Sequence, residues 1–146
     1  MKILIFVMNT MAMKQIKTFF GAAIIVTALF SSCQPDETPD SRDSYVASWA
    51  VNESSSQIGT TNYTVHINVV SSNTTQVQIE NFYNIGFGFK AIADISGSAI
   101  TLPQQTYNGN QLHGSGTKTG ANTINMTYYV NNGTTIDTCT ATLSRQ

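Results

Sequence analysis

The feature that most constrains the fold is an alternation of apolar and polar residues that recurs from about residue 44 to residue 146. The segment "NYTVHINVV" places Tyr63, Val65, Ile67 and Val69 on one face and polar side chains on the other. Successive side chains of a β-strand point to opposite faces, so a period of two predicts half-buried strands. The runs "TQVQIENF", "GFGFKAIADI", "NTINMTYYV" and "DTCTATLSR" repeat the pattern. None of them shows a helical period, and an all-β domain is therefore expected.

Turn residues separate these runs at regular intervals. The turn segments are "SSN" at 71–73, "NIG" at 84–86, "SGS" at 96–98, "NGN" at 108–110, "TGAN" at 119–122 and "NNG" at 131–133. Glycine and asparagine tolerate the positive φ that tight hairpins need. With a first strand at "YVASWAV", the turns delimit eight strands. A meander of eight strands can close and lose its exposed edges. We therefore predict an eight-stranded antiparallel up-and-down barrel. The alternative, a β-sandwich, would need a long crossover connection that the sequence does not offer.

The first 32 residues predict a targeting segment. Two lysines precede an apolar run over residues 19–30. As a helix this run would extend about 18 Å, which is short of the roughly 30 Å hydrocarbon core of a bilayer. Residues 1–32 are therefore predicted to be a signal peptide. The sequence leaves open whether translation starts at Met1 or at Met13, because "MKQIKTFF" is a complete basic start by itself.

The segment "LFSSC" ends this apolar run and resembles the lipobox of bacterial lipoproteins, in which small residues precede a cysteine. Phe30 stands where leucine is commoner. The resemblance implies that Cys33 is lipidated, becomes the new N-terminus and holds the protein at a membrane. Each acyl CH₂ buried in the membrane contributes about 0.8 kcal/mol, so two or three chains anchor stably. A general secretory signal with a chance cysteine is the alternative.

An acidic segment follows Cys33. The sequence "QPDETPDSRDS" has two prolines and no apolar residue before Tyr45. Such a composition favours a disordered tether that buries nothing, which we assign to residues 33–43, with the barrel domain over 44–146. The acidic start resembles the export signal of surface lipoproteins in Bacteroidetes-type bacteria. The expected location is the outer membrane, with the periplasmic face and the cell surface both open.

Charge and motifs argue against several function classes. Residues 33–146 carry four basic and eight acidic residues, a net charge of −4, with no basic patch for nucleic acid. The two histidines, His66 and His113, are predicted to face outward. No acid pair and no cysteine–histidine spacing suggests a metal site. We expect no cofactor, no metal and no enzymatic activity, and we expect Cys139 to be a buried free thiol.

The segment "SYVASWAV", with an arginine late in the last strand, resembles the calycin or lipocalin-like pattern. In that family a Gly-x-Trp opens the first strand and an arginine near the end of the last strand stacks on the tryptophan. The resemblance implies that Trp49 and Arg145 close the barrel, although Ala47 stands where the glycine is expected. Small Bacteroidetes-type outer-membrane lipoproteins also show a strand of this kind after their tether.

Two functions fit this sequence. The first is a lipid-anchored lipoprotein of the cell envelope that binds a small apolar or amphipathic ligand inside the barrel. Strand parity predicts that Phe87, Phe89, Met126 and Tyr128 line the cavity.

The second function is a structural or protein-interaction module of the cell envelope, with a filled core and no ligand. Small eight-stranded barrels are either filled by side chains or hold one small ligand. An outer patch around Phe82, Tyr83 and Tyr129 would favour the interaction module.

Overall fold

A computed structural model describes residues 39–146 as a closed barrel of eight antiparallel strands. The strands are β1 (Ala47–Ser55), β2 (Gly59–Val69), β3 (Gln76–Glu80), β4 (Lys90–Ser96), β5 (Ala99–Tyr107), β6 (Asn110–Lys118), β7 (Thr123–Asn131) and β8 (Ile136–Arg145). Each strand pairs with the next, and β1 also pairs with β8. The predicted up-and-down barrel is confirmed, and the sandwich alternative is wrong. The predicted signal peptide and Cys33 lie outside the described residues, as does the first part of the tether.

The predicted alternation decides which side chains fill the barrel. Along β8, buried Asp137, Cys139, Ala141 and Leu143 alternate with exposed neighbours. The other strands contribute apolar residues to the same core, and removal of this surface from water is the main force that holds the barrel together. Val69 is an exception to the predicted parity, because it lies at the end of β2 and is partly exposed. Within the described residues, no helix is long and apolar enough to cross a bilayer.

The connection between β3 and β4 departs from the predicted pattern. A strand was expected from Gly86, yet the chain first forms a 3₁₀ turn over Phe82–Asn84, and β4 begins only at Lys90. Three non-glycine residues here, Asn81, Tyr83 and Asn84, adopt left-handed backbone conformations with φ of 62°, 56° and 54°. Such conformations reverse the chain direction and cannot continue a strand.

The same connection corrects one predicted cavity residue. Phe87 was expected inside the barrel, but its side chain is 51% exposed and its ring lies 5.1 Å from the ring of His66 on the outer face of β2. The prediction was wrong because it extended the parity of β4 back through residues that form a loop. Phe89, closer to the strand, is buried as predicted and packs on Tyr107 at 4.2 Å between ring centroids.

The segment before β1 closes one end of the barrel. The hydroxyl of Tyr45 donates to the carbonyl of Gly97 at 3.0 Å, and the Arg42 guanidinium donates to the carbonyls of Val70 and Gln76 at 3.0 and 3.2 Å. Arg42 is buried, so the expectation that nothing before Tyr45 is buried was wrong at this residue. We name this end, which holds the β2–β3, β4–β5 and β6–β7 turns, the capped end.

Glycines on β6 let this strand approach β7 closely. Gly114 and Gly116 face inward opposite Tyr128 and Met126. A methyl group at Gly114 would lie 2.4 Å from the Tyr128 Cβ and 2.6 Å from the Thr127 carbonyl oxygen. The neighbouring strand therefore occupies the space that a side chain would take at these two positions.

We expect Gly114→Ala to lower the free energy of unfolding by about 1–3 kcal/mol, because the added methyl meets backbone that cannot move aside. Urea denaturation measures the change. Gly120→Ala is the matched control, since a methyl group there meets no atom within 4 Å. Equal stability of the two variants would contradict the close approach of β6 and β7.

Candidate functional site

The interior of the barrel is filled. An internal void among residues 39–146 has a volume of ≈ 10 Å³, and its wall includes Val51, Ile79, Phe82, Met126 and Tyr128. A void of this size is at or below what a single water molecule needs. The predicted lining residues Met126 and Tyr128 therefore meet as packed core, while Phe89 packs elsewhere and Phe87 lies outside.

The mouth of the barrel, opposite the capped end, is plugged by an aromatic side chain. Phe82 is buried, and its ring lies 4.5 Å from that of Tyr128 between centroids. Tyr83 approaches Tyr128 edge-on at 6.2 Å, a favourable aromatic geometry. The predicted outer patch is therefore wrong for Phe82, which points inward, whereas Tyr129 lies on the outer wall, where its ring stacks on His113.

Beneath the plug lies a buried carboxylate. Glu53 is 2% exposed, and the hydroxyls of Tyr63 and Tyr128 both donate to its Oε2 atom. Burial raises the pKa of Tyr63, and the hydrogen bond to Glu53 adds to this. Burial also raises the pKa of Tyr128, and the repulsion that two ionised tyrosines would exert on each other adds to this. Both tyrosines therefore stay neutral and serve as hydrogen-bond donors.

A second buried carboxylate, Asp137, fastens the plug to the barrel. Asp137 is 4% exposed and accepts hydrogen bonds from the hydroxyls of Ser55 at 2.6 Å, Tyr83 at 2.7 Å and Ser56 at 2.9 Å. Burial by itself would raise the pKa of Asp137, but the hydroxyl donors outweigh it and lower that pKa to about 2. Because Tyr83 sits in the β3–β4 connection, this hydrogen bond ties the connection to β8.

The free thiol of Cys139 lies in the same neighbourhood. Burial, and then the charges of Glu53 and Asp137, raises its pKa to about 12. A thiol nucleophile needs a lowered pKa and some exposure, and Cys139 has neither. It is a buried free thiol, as the sequence predicted.

We define the mouth cluster as the two acids and three tyrosines of this end, Glu53, Asp137, Tyr63, Tyr83 and Tyr128. Its two acidic side chains are held by neutral hydroxyl donors. Throughout residues 39–146, every buried side-chain nitrogen and oxygen atom has a hydrogen-bond partner. The ion pairs of this part of the chain, Arg42–Asp40 and Lys90–Glu80, lie outside the cluster. The described residues also contain no group of three or more acidic, histidine or cysteine side chains placed to hold a metal ion. The arrangement holds the plug in place.

At the capped end, the structure brings Trp49 and Arg145 together. They are directly opposed in the β1–β8 pair, and the Arg145 guanidinium carbon lies 5.4 Å from the centre of the Trp49 ring. The guanidinium also donates to the carbonyl of Val46 at 2.6 Å, and the indole N–H donates to the carbonyl of Tyr45 at 2.8 Å. This stack is the arrangement that the lipocalin-like resemblance implies for the two residues.

Sequence reasoning missed both buried carboxylates, although parity could have revealed them. Glu53 shares parity with Trp49 and Val51, and Asp137 shares parity with Cys139. Only apolar residues were assigned to the inward face, so the two acids on that face were missed. Their hydroxyl partners come from three distant parts of the chain, so the sequence alone shows no signal for the cluster.

The comparisons with known proteins support the fold alone. No family model matches the chain, and no curated protein matches it. Among solved structures, a redesigned β-barrel is similar with a TM-score of 0.53 and 13% identity over 73% of this chain and 96% of that one. The protein EF1p2_mFAP2b, solved bound to DFHBI, is similar with a TM-score of 0.53 and 13% identity over 74% of this chain and 100% of that one.

We expect the stability of the barrel to depend on the ionisation of Asp137. Its pKa in the folded state, about 2, lies below the ordinary value of 3.8. The charged carboxylate therefore stabilises the fold above pH 4, and this contribution, on the order of 2 kcal/mol, is lost as pH falls from about 4 to about 2.

Urea denaturation across this pH range tests the prediction. Asp137→Asn should be less stable than wild type at pH 6 and should show a shallower loss of stability below pH 4. Asp43→Asn is the control, since Asp43 is exposed and should leave the pH profile of the wild type in place. Identical profiles for Asp137→Asn and wild type would show that Asp137 does not carry the effect.

Proposed function

We propose that this protein is a lipid-anchored, non-catalytic module of the cell envelope whose filled barrel acts through its outer surface. The observation that carries the proposal is the interior void of ≈ 10 Å³, which leaves the barrel without room for a ligand. A barrel filled by its own side chains offers only its walls and ends to other molecules. The lipobox-like "LFSSC" supports the anchor, and the Trp49–Arg145 stack supports kinship with lipocalin-like barrels.

The first described residues are held at the capped end. The described chain enters at Pro39 and is fixed by Arg42 and Tyr45 to turns of that end. We place the anchor in the outer membrane, and the acidic residues after Cys33 favour the cell surface over the periplasmic face.

We expect Cys33→Ser to release the protein from the membrane fraction into the soluble fraction, because serine cannot form the thioether to the lipid. Mass measurement of the N-terminal peptide of the protein from its own host should give Cys33 as the first residue, with acyl chains attached. Gln34→Ala, next to the acceptor, is the control and should remain in the membrane fraction. An unmodified Cys33, or cleavage at another residue, would contradict the anchor.

A second candidate function is binding of a small apolar molecule at the mouth, in the place of Phe82. The plug itself favours this candidate. It is a single aromatic ring, that of Phe82, which packs on Tyr128. The β3–β4 connection that carries it has three non-glycine residues in left-handed conformations. Displacement of this ring would open an aromatic pocket with polar groups at its base. The similarity to a barrel solved with DFHBI is consistent with this use of the fold.

A thermal-shift screen of planar apolar compounds distinguishes this second candidate from the first. If ligands displace Phe82, Phe82→Ala should bind them at least tenfold more tightly than wild type, because the binding-competent state is then already populated. Phe87→Ala, which removes an exposed ring of the same connection, should bind as wild type does. No gain in affinity for Phe82→Ala would contradict ligand binding at the mouth.

A further inference from the structure

The outer wall of five neighbouring strands carries no charged side chain. Going around the barrel these strands are β6, β7, β8, β1 and β2, and their outward positions hold mainly threonine, serine and asparagine. The charged residues that the structure describes lie elsewhere: in the capping segment, on β3 and β4, at the strand ends, or inside the barrel. A wall of this width without a charge is unusual for a protein surface, which is typically about a quarter charged.

The side chains of this wall stand in two rows that follow the strand register. The first row runs through Ser115, Thr127, Thr140, Ser54 and Thr60, each directly paired with the next. All five of these side chains are exposed. They therefore remain available as donors and acceptors for another molecule.

The second row is already oriented by hydrogen bonds between its members. It runs through Thr117, Asn125, Thr142, Asn52 and Asn62. The Thr142 hydroxyl donates to the Asn125 Oδ1 atom at 3.1 Å, and the Asn52 Nδ2 atom donates to the Asn62 Oδ1 atom at 2.8 Å. We name the two rows together the hydroxyl–amide face. Side chains held in this way lose less conformational freedom when they bind a ligand.

Two shallow depressions lie on this face. The larger has a volume of ≈ 490 Å³ and the smaller ≈ 400 Å³, and the walls of both include Asn52 and Thr142. Because they share these two residues, the depressions lie side by side across the strands. Five strands spaced at about 4.8 Å make the face roughly 19 Å wide, which suits an extended chain better than a single small molecule.

An aromatic pair borders the face on the side of the larger depression. His113 and Tyr129 are paired across β6 and β7 next to the first row, and their rings stack with centroids 5.1 Å apart. Because the two rings stack on each other, each keeps one ring face for contact with another molecule, and an aromatic face can take up the apolar side of a sugar ring.

We propose that the hydroxyl–amide face binds a neutral oligosaccharide. Hydroxyl and amide groups both donate and accept hydrogen bonds, which matches a polyhydroxylated ligand, and the absence of charge gives no advantage to an ion. A protein partner is disfavoured because interface centres are rich in aromatic residues, methionine and arginine. The large exposed apolar side chains of the barrel, Ile58, Val69, Phe87 and Ile136, all lie outside the face. This inference rests on the proposed outward-facing role of the filled barrel.

Isothermal titration of the mature, lipidated protein in a zwitterionic detergent tests this site. The probes are tetra- to hexasaccharides from glucan, mannan and xylan, with anionic oligogalacturonate for comparison. At least one neutral probe should bind, and the anionic one should not. The double variant Asn52→Ala/Thr142→Ala should weaken binding at least tenfold, and Tyr129→Ala should also weaken it. Gln78→Ala on the outer face of β3 is the control and should bind as wild type does, with all variants melting at similar temperatures.

Three outcomes would overturn the site. Absence of binding by every neutral probe contradicts the site and leaves the proposed anchored module standing. Binding that survives Asn52→Ala/Thr142→Ala but becomes tighter in Phe82→Ala would place the ligand at the mouth, and it would contradict the proposed outward-facing role as well. Copurification of a protein that only the double variant loses would assign the face to a protein partner instead.

Discussion

The pairing of β1 with β8 is the contact on which the rest of the structure depends. It joins seven residue pairs from Trp49–Arg145 to Ser55–Cys139, and it turns a meander into a closed barrel without edges. Closure also limits the interior, since every inward side chain must share one narrow space. Two inward glycines on β6 let this strand lie close to the side chains of β7. The large rings of Trp49, Tyr45 and Tyr128 are among the side chains that fill the interior. Closure at this size allows either a filled interior or one small ligand, and the side chains named here pack the interior.

The two ends of the barrel are closed by different physical means. At the capped end, an arginine stacks on an indole and donates to backbone carbonyls, so a fixed positive charge satisfies groups that closure leaves unpaired. At the mouth, two buried carboxylates take hydroxyl donors instead of cations. A buried charge without such donors would cost several kcal/mol, and the tyrosine and serine hydroxyls offset that cost. Both solutions use side chains that the meander brings together only after closure.

The sequence was sufficient to predict the strands but not the loop that plugs the mouth. Strand parity and turn residues depend on local chemistry, so all eight strands and their order could be predicted. The 3₁₀ turn at Phe82 depends on Asn81, whose side chain bonds the carbonyl of Thr64 at 2.8 Å and the amide of Gly86, also at 2.8 Å. One of these partners lies on another strand, so no local pattern could show that Phe82 turns inward and Phe87 outward.

A filled barrel also divides the chemistry of each strand between its two faces. Inward positions on β7 and β8 are fixed by packing, and even the acids there are committed to hydrogen bonds within the chain. Packing in the core does not constrain the outward positions. Several residue types favour a β-strand there, and threonine is only one of them. A run of neutral hydroxyl and amide groups across five strands is therefore not required by the fold. Since the inward positions are committed to packing, the outward positions are those at which the sequence can vary without disturbing the core.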